Sequence, residues 1–165
     1  MSWKLRGAQL GLAFGLLLSA SAALAAGKLT YVDKFKDGSN ELAVATYFDP
    51  DIVSPGTKKV ALLGIANGTR RISIAFGPNE WPALIALWTK AVDAQSNSWQ
   101  DVGTFVESST EDTSSLKISA GPGATFLISS PARGIETYLL PTADLNRFDA
   151  AVRKTLDSLA NQASD

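Results

Sequence analysis

The dipeptide Asn67-Gly68 lies between two apolar runs, "VALLGIA" (60–66) and "RRISIAFG" (70–77), and it constrains the fold more than any other feature. Asn-Gly between alternating hydrophobic segments is the strongest short-range hairpin signal, because a two-residue loop there needs positive φ. In the second run Ile72, Ile74 and Phe76 point one way while Arg71 and Ser73 point the other, the period of a half-buried strand. The run "ELAVATYFD" (41–49) alternates in the same manner and reads as a further strand. Between it and the hairpin, "DPDIVSPGTKK" is a loop punctuated by Pro50, Pro55 and Gly56.

The stretch "EWPALIALWTKAV" (80–92) changes period. Trp81, Leu84, Ile85, Trp88 and Val92 form one stripe on a helix, with Asn79 as the expected N-cap and Pro82 harmless in the first turn. A second stripe, Ala83, Leu87, Ala91 and Ala94, is nearly free of charge. Small side chains at that spacing admit a neighbouring helix closely, so these four residues are the candidate interaction surface. They face either the second helix, with Ala151 opposite Leu87, or another chain. Strands "WQDVGTFVES", "SLKISA", "ATFLISS" and "IETYLLP" follow, and "GPG" (121–123) is a turn. The helix "TADLNRFDAAVRKTLDSLANQ" comes last, capped by Thr142, with Leu145, Phe148, Val152, Leu156 and Leu159 as its core stripe. Its charged face carries Asp149, Arg153 and Asp157 at i, i+4 spacing.

A constant shift of 64 residues lays one helix on the other, pairing Trp81 with Leu145, Leu84 with Phe148 and Trp88 with Val152. The same shift places "VALLGI" on "ATFLIS" and the Asn67-Gly68 turn on Pro131-Ala132. The expected fold is therefore α+β, antiparallel β-sheet with two α-helices. Its pattern of strands followed by a helix occurs twice, over about 28–96 and 97–161. That element order resembles the whirly and PUR-alpha single-stranded nucleic-acid-binding architecture. The resemblance implies a duplicated ββββα unit; it rests on no motif and carries no site residues. Nucleic-acid binding is not expected, since that chemistry needs a basic footprint. Here the basic pairs are dispersed: Arg70-Arg71 beside the hairpin turn, Lys58-Lys59 at the far end of the ladder.

The first residues combine Lys4 and Arg6, an apolar run through Leu18, and Ala23-Leu24-Ala25. This is the pattern of a cleavable secretory signal, residues 1–25, with the mature chain starting at Ala26. The run is shorter than the roughly 20 residues a membrane-spanning helix needs, and no cysteine follows it to take a lipid. Removal of Lys4 and Arg6 leaves 13 basic against 16 acidic residues, a net of −3. Residues 26–165 make one ordinary domain, expected to be periplasmic or secreted.

With His 0 and Cys 0, histidine- and cysteine-based nucleophilic triads and the usual zinc sites drop out, as do disulfides. Carboxylates remain: Asp49 and Asp51 in one loop, Glu107, Glu111 and Asp112 in another. All are expected to be solvated loop acids, because catalysis by paired carboxylates needs burial to separate their pKa values. Ser114 or Ser115 with Lys117 is the remaining nucleophile–base option, and no motif supports it. No catalytic residue, metal ligand or cofactor is assigned. The expected role is a non-enzymatic exported binding or interaction protein of the bacterial envelope, of accessory or inhibitor type, with a protein partner or a second copy. The alternatives are a small-molecule or glycan binder working between sheet and helices and, third, a carboxylate-only hydrolase.

Overall fold

The computed structural model describes residues 27–49, 59–107 and 113–161. Strands β1 (Lys28–Asp37), β2 (Asn40–Phe48), β3 (Lys59–Asn67) and β4 (Arg70–Phe76) form one antiparallel sheet, in that order. Helix α1 (Trp81–Asp93) follows. Strands β5 (Gln100–Val106), β6 (Ser115–Gly121), β7 (Gly123–Ser130) and β8 (Gly134–Leu140) form the second sheet, again in chain order, and helix α2 (Leu145–Ala160) closes the chain. The fold is α+β, with the ββββα order occurring twice.

Turn chemistry builds both sheets. The hairpin forms where the Asn-Gly signal places it but one residue along: Asn67 is the last residue of β3 and pairs with Arg70, so the two-residue loop is Gly68-Thr69, with Gly68 at φ 61°. Asp37-Gly38 does the same between β1 and β2, with Gly38 at φ 58°. The Gly68 N–H donates to the Ser39 carbonyl, which sets the two turns side by side. Each sheet also opens on a bulged strand. The register of β1 slips between Tyr31 and Asp33, and that of β5 between Asp101 and Gly103. The extra residue is a valine each time, Val32 and Val102, and both pack against the core.

The helices are exchanged between the halves. Helix α1 follows the first sheet but packs on β5 and β6; α2 follows the second sheet and packs on β1, β2 and β3. Gln95, just past α1, fastens the first exchange: its side-chain amide donates to the Gly123 carbonyl and accepts from the Gly123 N–H. Arg147 of α2 fastens the second, donating from Nε to Asp33 of β1 at 2.8 Å. Lys59 of β3 donates to the Ser158 carbonyl near the end of α2 at 3.1 Å, where helix carbonyls lack partners. A single apolar core runs through both sheets and both helices. Its centre is aromatic: Trp88 lies within 4.6 Å of Phe148 and 5.9 Å of Phe126, ring to ring, and Phe35 meets Phe148 at 5.6 Å. The Trp81 indole N–H donates to the Val152 carbonyl at 2.8 Å, satisfying a polar group that burial would otherwise strand. Because each helix covers the other half's sheet, neither half holds its own core.

The helix starts differ from the sequence expectation. Glu80, not Asn79, occupies the N-cap of α1, and its carboxylate accepts from the Gly77 N–H at 2.8 Å. Thr142 begins a short 3-10 turn, Thr142–Asp144, so Asp144 precedes α2.

Candidate interaction surface

The buried face of α1 consists of Trp81, Leu84, Trp88 and Ala91. It lies between the two stripes read from the sequence: the first gives it Trp81, Leu84 and Trp88 and loses Ile85 and Val92, and the second gives it Ala91 alone. Val92 is 38% exposed, not core. Ala91 is fully buried, and Ala94 is packed against the core. Leu87 is half-buried and leans on β5, where Gly103 makes room: a Cβ there would stand 2.7 Å from the leucine Cδ1. Ala83 alone of the four is exposed. The stripe faces the second sheet more than α2, and as a continuous surface for a partner it does not form.

The acidic and hydroxyl candidates also resolve into structural roles. Glu107 is buried at 5% exposure, a correction to the solvated reading; its N–H donates to the Ser114 carbonyl, which closes the base of the β5–β6 hairpin. Asp51, Glu111 and Asp112 lie outside the described residues, and Asp49 is half-buried at the end of β2. Ser115 bonds to Ser129 at 2.8 Å, while Lys117 pairs with Asp101 at 2.7 Å, so no serine–lysine dyad is assembled. Among the described residues no cluster of three or more metal-ligating side chains occurs. Glu136 of β8, also buried, meets Arg70 Nε at 2.7 Å, and Arg133 donates to the Ser73 carbonyl at 3.2 Å. These two contacts pin the β7–β8 hairpin to β4 and join the sheets.

What sequence reasoning missed is the difference between the outer faces. On the first sheet the outward face carries an apolar cluster, Leu29, Tyr31, Ala45, Tyr47, Val60, Leu62 and Ala75, beside a charged end where Lys34 and Lys36 pair with Glu41 near Arg71. Burial there pushes the Tyr31 hydroxyl above its ordinary pKa, with the Glu41 charge adding to it. The second sheet turns outward Ser115, Lys117, Ser119, Thr125, Thr137 and Leu127. Set among these hydroxyls are four large apolar side chains that remain about half exposed: Trp99 at 49%, Val106 at 50%, Leu139 at 53% and Ile135 at 56%. Helix α1 occupies the inner face of this sheet, and no described element covers the outer one.

Trp99 has a distinct geometry. Three of its ring carbons, Cδ2, Cε3 and Cε2, lie within 3.0 Å of where a Cβ on Gly121 would stand. The indole therefore rests broadside on the sheet at a position that only glycine leaves free. Two residues along, Asp101 accepts from Lys117 at 2.7 Å and from the Ser119 hydroxyl at 2.9 Å. Those two hydrogen bonds, Lys117 first, hold its carboxyl below the ordinary aspartate pKa.

A scan against protein-family models gives no match to this chain, and a search of curated proteins likewise finds none that matches.

Proposed function

We propose that this chain is an exported, non-enzymatic binding or interaction protein of the bacterial envelope, and that it binds through the outer face of the β5–β8 sheet. The observation that carries the reading is the half-exposed set of Trp99, Val106, Ile135 and Leu139 on a sheet face without a covering helix. Trp99 and Val106 lie along the β5 edge and Ile135 and Leu139 along the β8 edge, framing the polar face of Ser115, Lys117, Ser119, Thr125 and Ser129 between them. Exposed apolar side chains set among polar ones support an interaction surface. The N-terminal pattern around Ala23-Leu24-Ala25 supports export. Among the described residues no helix is long and apolar enough to cross a membrane. Against an enzyme stands the engagement of several carboxylates: Asp33, Glu41, Asp101, Glu136 and Asp149 each pair with a lysine or arginine.

The architecture is proposed to be whirly- or PUR-alpha-like, supported by the doubled ββββα order with exchanged helices. A shared fold does not bring a shared ligand, and the mature charge of −3 opposes phosphate binding. Periplasmic extract passed over the immobilised chain and over an Ile135→Lys/Leu139→Lys variant tests the reading. A protein retained by the first and lost from the second, with both chains folded, is the expected result. Equal retention, or none by either, overturns the surface. N-terminal sequencing of the periplasmic form should begin at Ala26; retention of Met1 or Ser2 in membranes overturns the export.

A further inference from the structure

We infer that the Trp99 end of the open face is a binding site for an uncharged glycan, in which Trp99 stacks on a sugar ring and Asp101, Lys117 and Ser119 bind its hydroxyls. The inference deepens the reading of the β5–β8 face as the binding surface by naming a ligand class. The space between sheets and helices is filled by the rings of Trp81, Trp88, Phe126 and Phe148, all fully buried. Recognition has to occur outside.

Three observations lead to a sugar. The indole lies broadside over Gly121 with about half of the side chain open. That leaves a π face, negative in its quadrupole, turned to solvent. A pyranose with equatorial substituents presents the complement, a flat face of C–H bonds carrying partial positive charge. Next, Trp99 and Asp101 are separated by two residues, about 7 Å along an extended strand. Strand pairing puts Asp101 beside Ser119, and Trp99 lies against Gly121, so the two side chains share one face. A stacked sugar then brings its rim hydroxyls to the carboxylate, an acceptor with lone pairs to spare after its bonds to Lys117 and Ser119. Finally, Lys117 is matched by Asp101, so the cluster carries no net charge. An acidic ligand gains little there, whereas a neutral ligand rich in both donors and acceptors finds both. The polar groups are already fixed by one another, which lowers the ordering cost of binding.

Glycine rescue by an aromatic ring would produce the same stacking on Gly121 without any ligand, so the test has to separate stability from binding. The full-length chain is titrated calorimetrically with cellohexaose, with chitohexaose and with a single-stranded oligothymidylate, and each variant is also melted. Saturable binding of at least one sugar is expected, weakened about tenfold, or 1.4 kcal/mol, by Trp99→Ala and by Asp101→Ala and less by Trp99→Phe. If Trp99→Ala does not fold, Trp99→Phe and Asp101→Ala carry the comparison. No sugar binding at millimolar concentration, sugar affinity unchanged in the folded variants, or oligothymidylate binding that depends on Trp99 overturns the glycan site. A protein partner still lost from Ile135→Lys/Leu139→Lys would then leave the broader surface standing; loss of both results removes both.

Discussion

The two halves share strand order, a valine bulge in the first strand and a helix lent to the other sheet, yet they dispose of their outer faces in opposite ways. The first sheet turns outward a buried or half-buried cluster of alanines, tyrosines and Leu62, with the Lys34, Lys36 and Glu41 ion pairs at one end. The second turns outward serines, threonines and half-exposed aliphatics. Both inner faces belong to one core, since the exchange of helices forces the sheets to share it. Inner residues are thus tied down by the partner half, and the outer faces are where the halves can differ. Architecture is carried by what repeats and the outer faces by what does not: under the proposed reading the first sheet is scaffold and the second is the presenting face.

The largest expected effect tests the shared core. Trp88→Ala removes a fully buried ring that touches Phe126 and Phe148 and an indole N–H that donates to Asp149 at 3.2 Å. Chemical denaturation should show a loss of roughly 3–5 kcal/mol, in one transition in which both halves unfold together. Two separate transitions would break the picture of exchanged helices. Next comes the contrast of faces. Leu62→Lys buries a charge at a site 2% exposed and should cost about 3 kcal/mol. Leu139→Lys, on the open face, should stay within about 0.5 kcal/mol of the parent. Equal costs would erase the distinction between scaffold and presenting sheet. Smaller again is Leu87→Lys, which loses the contact over Gly103 while its ammonium reaches water. We expect a loss of about 1–2 kcal/mol with unchanged sedimentation; a folded variant of halved mass would restore the α1 stripe as an interface.

Where local chemistry dictates structure, the sequence was readable. Asn67-Gly68 located the β3–β4 hairpin to within one residue of its Gly68-Thr69 loop, and the switch from period 2 to period 3.6 at Trp81 located α1. Strand β1 was not assigned, although Asp37-Gly38 is a turn signal of the same kind. Leu29, Tyr31 and Phe35 keep one parity in the sequence, but the bulge at Val32 turns Phe35 inward while Leu29 and Tyr31 stay outward, and the charged residues between them blur the pattern. At α1 the inner face was misjudged by a fraction of a turn, because the choice between Val92 and Ala91 depends on where β5 lies. The open face depends on longer-range facts still. Trp99 and Gly121 are 22 residues apart and meet only through the β5–β6 register. Half-exposure of Ile135 and Leu139 could not be read from "IETYLLP", whose alternation was visible while its outward side looked like any other.

The smallest expected effect concerns alkaline pH, and it acts at the joint between the halves. Tyr138 of β8 is a buried ring on the inner face of the second sheet. Burial raises its hydroxyl above the ordinary pKa near 10, and the negative charges of Asp144 and Asp37 push the same way. Asp37 belongs to β1, so part of this influence crosses from one sheet to the other. A raised acid pKa means that folding favours the neutral phenol. Its contribution is fully present below the unfolded value near 10 and is lost as pH climbs from there through the folded value. Between neutrality and pH 9, Tyr138→Phe should therefore leave the pH dependence of stability unchanged. Above pH 10 the variant should lose stability less steeply than the parent. The Tyr31 hydroxyl, raised on the outer face of the first sheet, contributes with the same sign, so Tyr31→Phe should flatten the same limb. Denaturation midpoints compared between pH 9 and 11 measure both, with the larger change expected for the more buried Tyr138. A steeper alkaline loss in Tyr138→Phe than in the parent would show that the phenol is not held neutral by the joint, and that the two sheets are less tightly closed there than its burial indicates.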